Sequence, residues 1–186
     1  MKQNILPAVK LTLICLVIFS AFYSLLILGI AQAAPGKGLG KTVVLKNKVI
    51  GYVLEGQSFT VDKYFNGRPS AAGYNAAASS GSNKGPSNPD YLKTVNDRID
   101  SFLIHNPTVQ KKDIPADLVT ASASGLDPDI SFQGAMVQAD RIARERNISR
   151  DKVLALIKAN TDRSAMNGIE KVNVLKINIA LDKLAE

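Results

Sequence analysis

An uninterrupted apolar run at residues 11–30, LTLICLVIFSAFYSLLILGI, constrains this sequence more than any other feature. It has no charged residue and no proline, and the aliphatic hydroxyls of Thr12, Ser20 and Ser24 can bond to helix carbonyls. As a helix it would span roughly 30 Å, the thickness of a bilayer's hydrocarbon core. A helix also satisfies every backbone polar group within lipid. We therefore predict a short tail at 1–10, one transmembrane helix at 11–30, and a polar domain beyond it.

A secretory signal peptide is the competing interpretation of the same run. Lys2 and Lys10 would supply its charged start, and Ala31-Gln32-Ala33 resembles a small-x-small cleavage site. Against this, signal peptides have apolar regions of roughly 7–15 residues, and this one is longer. The sequence favours an uncleaved anchor.

Net charge and cysteine content do not determine the side of the membrane on which the polar domain lies. The formal net charge of the chain is +7. The lysines and arginines are scattered along the sequence, which is typical of a solvated basic surface. The only cysteine, Cys15, lies within the apolar run, so the polar domain has neither a disulfide nor a cysteine metal site. Lysines flank the run on both sides, and positive-inside counting leans slightly towards a cytoplasmic polar domain.

The remaining sequence predicts a tether at 31–41 and one α+β domain at 42–186. The tether is rich in glycine. Residues 42–45 and 49–54 are β-branched runs and predict a hairpin, and Asn66-Gly67 predicts a turn. Residues 172–174 alternate like a further strand. The predicted fold is thus a small antiparallel sheet with several helices after one N-terminal transmembrane helix.

Helix signals dominate the second half of the chain. Asn88 and Pro89 begin a helix that ends at Asn106-Pro107, with Leu92, Val95, Ile99, Phe102 and Leu103 on its buried face. Ser131 begins a second helix with Ala135, Met136, Ala139, Ile142 and Ala143 on its apolar face, and Asn147 ends it. Ser149 begins a third helix that buries Val153, Leu154 and Ile157, and a short C-terminal helix follows Asn178.

Two stretches consist almost entirely of small residues. Residues 70–88 read SAAGYNAAASSGSNKGPSN, and residues 120–125 read TASASG. Such a stretch is either a flexible surface loop or an ordered interaction loop, because small residues allow close backbone approach and Ser and Asn offer donors and acceptors. We predict that the two stretches are ordered and lie close together.

No catalytic constellation is present, and no nucleotide or metal motif is found. The only histidine, His105, lies at a helix end. The polar domain has no second histidine and no cysteine that could complete a metal site with it. The helices on either side of 146–149 resemble a helix-turn-helix, in which Arg141, Arg144, Arg146 and Arg150 would contact phosphates. A membrane tether and a turn without glycine argue against this nucleic-acid binder. The sequence predicts a non-enzyme, either a subunit of a larger complex or a tethered or secreted binding module.

Besides the anchor, ordered motifs lie along nearly the whole chain: GQSF at 56–59, YFNGRPS at 64–70, SGSN at 80–83, SNP at 87–89, DLVTASASGLD at 117–127, VNVL at 172–175 and NIALD at 178–182. With these motifs the chain closely resembles the C subunit of the Kdp high-affinity potassium-transporting P-type ATPase; the alternative is a binding module unrelated to transport. The resemblance implies a prokaryotic cell membrane and two partners, a potassium-channel-like subunit and an ATP-hydrolysing subunit. Potassium would be the transported ion of the complex.

The resemblance implies two alternative roles. One is a catalytic chaperone that raises the ATP affinity of the hydrolysing subunit. The other is a structural cap on the potassium-selective subunit outside the cytoplasm, and this placement is the one we predict. The family's proposed nucleotide contact resembles Leu-Ser-x-x-Gln. The matching run here, at 148–152, makes Ser149 and Lys152 the candidate nucleotide-binding residues, with lysine in place of the glutamine.

The predicted partner-binding residues lie in and around the two small-residue stretches. Phe65, Arg68 and Tyr74 would be the larger anchors, since aromatic and arginine side chains concentrate interface energy. The complete set is Gln57, Phe59, Phe65, Arg68, Pro69, Ser70, Tyr74, Ser80, Gly81, Ser82, Asn83, Ser122, Ser124, Gly125 and Asp127. No catalytic residue, resident metal or firmly bound cofactor is predicted.

Overall fold

The computed structural model of the chain describes residues 2–34, 36–45, 47–164 and 168–184. It divides into two compact units, residues 1–50 and 51–186. The helices are α1 (Lys2–Leu16), α2 (Tyr23–Ala33), α3 (Pro89–His105), α4 (Phe132–Met136), α5 (Ala139–Arg146), α6 (Arg150–Ala159) and α7 (Val174–Lys183). The strands are β1 (Thr42–Leu45), β2 (Lys48–Tyr52), β3 (Asp129–Ser131), β4 (Thr161–Arg163) and β5 (Glu170–Asn173).

The first unit is dominated by one long helix. A π-helical segment, Val17–Phe22, joins α1 to α2, and the helix runs over Gln3–Ala33, 31 residues. At 1.5 Å per residue it is about 46 Å long, and its length and apolar composition suit it to cross a membrane. The helix predicted at 11–30 is confirmed and extends beyond both ends of the apolar run. After it, β1 pairs with β2 as the predicted hairpin.

The second unit is built around a three-stranded antiparallel sheet with strand order β3-β5-β4. The register sets Ile130 of β3 and Thr161 of β4 on either side of Val172, which is fully buried. Helices α4 and α7 pack against β5, and α6 packs against α4, α5 and α7. The core they enclose comprises Phe65, Leu118, Ile130, Ala135, Ala139, Ile142, Ala143, Val153, Ile157, Val172, Val174, Ile177 and Leu181.

The junction of β5 and α7 differs from the prediction. The strand ends at Asn173, whose side chain accepts a hydrogen bond from Lys176 N (3.0 Å) and so begins α7 at Val174. Asn178 was predicted to precede the C-terminal helix, but it lies inside α7. Its buried amide accepts from Phe65 N (2.8 Å) and donates to Phe65 O (3.0 Å). Asn178 therefore serves a tertiary contact, which spacing along the chain does not reveal.

Helix α3 has the predicted ends but not the predicted burial. Asn88 accepts from Tyr91 N (3.0 Å) as N-cap, and the helix ends at His105. All 17 residues of α3 are described by the structure, and none is fully buried. Leu92 is 47% exposed, so the expectation of a buried Leu92 is wrong. An amphipathic pattern specifies which face turns inward, but not how much protein covers that face.

Two further local predictions are corrected by one buried polar network. The single helix expected after Ser131 is interrupted between Met136 and Ala139, where Gln138 is fully buried. The turn expected at Asn66-Gly67 lies earlier, where Tyr64 N bonds to Val61 O (3.0 Å). Asn66 is instead held by Gln138, whose Oε1 accepts from Asn66 N (2.8 Å). Tertiary hydrogen bonds thus replace the local turn bond that the sequence indicated.

Candidate partner-binding surface

The two small-residue stretches form one surface, which we call the loop pair (residues 69–88 and 120–127). Ser122 N donates to Pro69 O (3.0 Å), Ser70 Oγ to Gly125 O (2.7 Å) and Ser79 Oγ to Ser124 O (2.9 Å). These bonds connect residues 45 or more positions apart in sequence. The prediction that the two stretches lie together is confirmed.

Glycines permit the close approach within the loop pair. A Cβ on Gly81 would lie 2.8 Å from Ala123 O, closer than carbon and oxygen can approach without displacement. Gly125 has φ +69°, and a Cβ there would lie 2.7 Å from Ser80 O. Larger residues at these two positions would force the loops apart.

We expect Gly81→Ala to destabilise the domain by about 1–3 kcal/mol, because the added methyl overpacks a backbone contact. Gly85→Ala is the matched control in the same loop, since among the described residues no atom lies within 4 Å of its ideal Cβ. Thermal unfolding of the two full-length variants measures the difference. Equal midpoints would show that the loops do not pack at Gly81 as described.

Arg68 and Tyr74 fix the start of the loop pair. Arg68 Nη1 donates to Asp127 Oδ2 (2.9 Å), and Tyr74 Oη donates to Arg68 O (2.6 Å). Tyr74 N donates to Ser70 Oγ (2.8 Å), and Tyr74 itself adopts a left-handed φ of 59°. Burial raises the pKa of the Tyr74 phenol, so Tyr74 stays protonated and can donate. Both predicted anchors therefore act first as internal braces.

A cleft of about 590 Å³ opens beside the Arg68–Asp127 ion pair. The charged residues that line it are Arg68, Asp117, Asp127, Asp129, Glu170 and Lys171. Lys171 Nζ lies 2.5 Å from Asp129 Oδ2, and this bond raises the pKa of Lys171. Arg68 Nε is buried and has no hydrogen-bond partner among the described residues. Four of these six charged residues are thus paired with one another.

The other predicted partner-binding residues divide by exposure. Ser80, Ser82, Asn83 and Ser124 are exposed on the rim of the loop pair. Ser122 and Gly125 are buried between the loops, and Gln57 and Phe59 are half-buried. Phe65 is fully buried in the core, so its prediction as a partner anchor is corrected. The ring of Phe65 stabilises the domain and is not available at the surface.

The candidate nucleotide residues lie elsewhere. Ser149 and Lys152 are exposed at the start of α6, where Lys152 N donates to Ser149 O (3.1 Å). Within the described part of the chain, neither side chain lines the Arg68–Asp127 cleft. The structure therefore does not bring them together with the loop pair.

Sequence analysis missed the most connected side chain of the domain. Arg141 is 1% exposed, and all its N–H groups have acceptors. These acceptors are Asn106 Oδ1 (3.0 Å), Tyr64 O (3.1 Å), Asn66 Oδ1 (2.7 Å), Gln138 Oε1 (2.8 Å) and Asp62 O. Burial lowers the pKa of Arg141, while the nearby Asp62 carboxylate opposes that shift. The sequence contained a hint of this buried position. Arg141 lies three residues after Gln138 and next to Ile142, on the apolar side of α5.

The helix-turn-helix interpretation loses two of its four proposed phosphate contacts, because Arg141 and Arg146 are engaged within the domain. Arg141 is buried, and Arg150 Nε bonds to Asp140. Arg146 Nη2 lies 2.7 Å from Asp182 Oδ1, and its guanidinium stacks 4.9 Å from the centre of the Tyr64 ring. Arg144 and Arg150 are exposed but form ion pairs with Glu145 and Asp140, so the four arginines do not form one free basic surface for duplex phosphates.

His105 pairs with a carboxylate at the surface. Its Nδ1 lies 2.9 Å from Asp62 Oδ1, and its side chain is half exposed. Both residues line a second cleft of about 500 Å³, whose apolar residues include Phe59, Phe102 and Leu118. Among the described residues, no group of three or more His, Cys, Asp and Glu is arranged to hold a metal ion.

Comparison with known proteins identifies the family to which the chain belongs. A family model described as "K+-transporting ATPase, c chain" matches residues 5–183. The chain belongs to the KdpC family. A protein of Flavobacterium psychrophilum named potassium-transporting ATPase KdpC subunit is 52% identical over 182 residues, 98% of this chain and 99% of that protein. The subunit of the same name from Bacteroides fragilis is 49% identical over 187 residues, 98% of each chain.

The match to the KdpC family covers residues of both units of the chain. The match begins within the long helix and ends in α7, so it includes the hairpin, the loop pair and the Arg141 network. The predicted family is thereby confirmed, and potassium is the ion transported by the system to which such subunits belong.

Proposed function

We propose that this chain is a non-catalytic, membrane-anchored accessory subunit that assembles and stabilises an ATP-driven potassium uptake complex. The long helix would be its single anchor in the cell membrane of a prokaryote. Its partners would be a potassium-channel-like subunit and an ATP-hydrolysing subunit. The soluble domain would lie outside the cytoplasm, where it would cap the potassium-selective subunit.

The loop pair carries this proposal. Loops of small residues are usually mobile, yet here they are fixed by bonds between distant segments, with Ser80, Ser82 and Ser124 exposed on the rim. Ordering before binding lowers the entropy cost of association. A preformed rim of hydroxyls and backbone groups is suited to docking on another protein.

We expect Ser124→Tyr to reduce co-purification with the other subunits, because a bulky ring on the rim would block close approach. Ser101→Tyr is the matched control, since Ser101 is an exposed serine on α3, outside the loop pair. The amounts of partner recovered with each tagged variant are compared from membranes. Unfolding midpoints of both variants are measured alongside, since Ser124→Tyr also removes the hydrogen bond from Leu126 N to Ser124 Oγ (3.0 Å). Equal recovery for both variants would contradict the proposed docking surface.

Sidedness is tested by labelling a single introduced cysteine. Lys111 is exposed, and Cys15 is the only native cysteine, so Lys111→Cys in a Cys15→Ser background gives one accessible thiol. We expect a membrane-impermeant thiol reagent to label intact cells to the same extent as lysed cells. A Cys15-only chain serves as the unlabelled control. Protection until lysis would contradict the extracytoplasmic placement.

A catalytic-chaperone role is the second candidate. Lys152 is exposed in the first turn of α6, where a helix N-terminus favours anions, so it would meet a phosphate as a point charge. This role requires a cytoplasmic domain, and the labelling experiment therefore separates the two candidates. If labelling places the domain inside, Lys152→Gln should weaken the apparent ATP affinity of the complex.

A further inference from the structure

The segment between the long helix and the second unit has an unusual charge pattern. Residues 31–54 contain Lys37, Lys41, Lys46 and Lys48 but no aspartate or glutamate, and the first acidic residue of the whole chain is Glu55. Beyond that point acidic and basic residues are interspersed. The basic character is thus concentrated on residues 37–52, which we call the basic hairpin.

The basic hairpin also exposes apolar side chains on both faces. Leu39 is 77% exposed, Val44 57%, Leu45 39% and Val49 51%. Val44 and Leu45 are consecutive in β1, so their side chains leave opposite faces of the strand. A two-stranded hairpin is at best marginally stable in water without a covering surface. The hairpin thus presents apolar side chains on both faces that an apolar environment would cover.

The basic hairpin is held close to the end of the long helix. Residues 36–40 form tight turns with left-handed glycines, in which Lys37 N donates to Ala34 O (2.9 Å) and Leu39 N to Gly36 O (2.9 Å). An ideal Cβ on Gly38 would lie 3.4 Å from Ala31 Cβ, which places this turn against the last helical turn. β1 then begins at Thr42, within the same compact unit as the helix. The expected tether is a compact connection between helix and hairpin.

We propose that the basic hairpin docks in the anionic phospholipid headgroup layer of the bilayer that the helix spans. Its valines and leucines would enter the boundary with the acyl chains, and its lysines would contact lipid phosphates. An apolar body with a basic rim and no acid matches the chemistry of that layer, and the turn at Gly38 places the hairpin beside the end of the long helix. This inference rests on the proposed membrane anchor.

Tryptophan fluorescence provides a clean test, because the chain contains no tryptophan. Val49→Trp and Leu28→Trp are made separately in the full-length chain, which is reconstituted in vesicles of phosphatidylcholine and phosphatidylglycerol. Vesicles with brominated acyl chains then quench residues that contact lipid. Leu28→Trp reports on the helix, and free N-acetyltryptophanamide gives the aqueous reference.

We expect blue-shifted emission and bromolipid quenching from both positions. Replacing Lys41 and Lys48 with glutamine should shift the Val49→Trp emission back towards the aqueous reference and leave that of Leu28→Trp unchanged. Each lysine near an anionic surface contributes roughly a fivefold preference for it, so high salt should have a similar effect.

The possible outcomes distinguish the hairpin proposal from the proposal that the long helix is a membrane anchor. Quenching at position 28 with aqueous emission at position 49 would overturn the hairpin proposal alone. A blue shift at position 49 without bromolipid quenching would also overturn it, since the covering surface would then be protein. Aqueous emission from both positions would overturn the anchor and the hairpin proposal together.

Discussion

Arg141→Met is expected to lower the free energy of unfolding by about 3–5 kcal/mol, because it removes the charge around which a buried network is arranged. The side-chain oxygens of Asn66 and Asn106 would lose the donor that now bonds them, and Gln138 Oε1 would keep only the bond from Asn66 N. Methionine fills a similar volume but supplies no donor, so the oxygens of Asn66 and Asn106 would be left unsatisfied. Urea unfolding of the full-length chain in detergent, followed by near-ultraviolet circular dichroism, measures the change in the folded domain.

Arg144→Met is the matched control for this prediction. Arg144 lies on the same helix, but it is exposed, and its ion pair is with its neighbour Glu145. Exposed ion pairs of this kind contribute about 0–1 kcal/mol. A similar loss of stability in both variants would show that the buried network is not what stabilises α5.

Phe65→Ala is expected to cost about 3–5 kcal/mol, the range for a fully buried aromatic ring. The backbone N–H and C=O of Phe65 are both hydrogen-bonded to the side-chain amide of Asn178. The surrounding structure therefore cannot easily collapse into the cavity. Thermal unfolding of the full-length chain measures the loss. Ile104→Ala is the control, because Ile104 is 77% exposed and its truncation should change the midpoint little.

The same variant separates two roles for Phe65. If the ring acts only through stability, the loss of complex assembly should be recovered at low temperature, where the Phe65→Ala domain remains folded. Assembly that stays defective in the folded variant would restore Phe65 as a direct partner contact. Co-purification at two temperatures, with the folded fraction measured in parallel, distinguishes these cases.

Local patterns in the sequence identified the elements whose signals are contained within a few residues. The apolar run at 11–30 predicted the long helix, since its character depends only on the side chains of that segment. Asn88 before Pro89 predicted the start of α3, and Asn147 predicted the end of α5, where its φ of 54° is left-handed. Short, distinctive motifs from GQSF to NIALD predicted the family, which the family model confirms.

The candidate site was predicted in part. The small-residue composition of 70–88 and 120–125 indicated close backbone approach, and the structure confirms that the two stretches lie together. Their role in partner binding stays a prediction, as does a nucleotide contact at Ser149 and Lys152. Composition shows that backbones can approach, but it does not identify the molecule that they contact.

Only the tertiary structure decided which polar side chains became internal. Arg141, Asn66 and Asn178 have the same sequence character as surface residues, yet each has a hydrogen-bond partner 75 or more positions away. Burial of a guanidinium or an amide is favourable only when distant acceptors and donors converge on it, and no local pattern encodes that convergence. By itself the sequence determined the membrane-length helix, the α+β class and the family. Folding determined that Phe65 and Arg141 form the interior, because burial depends on packing among segments far apart in the chain.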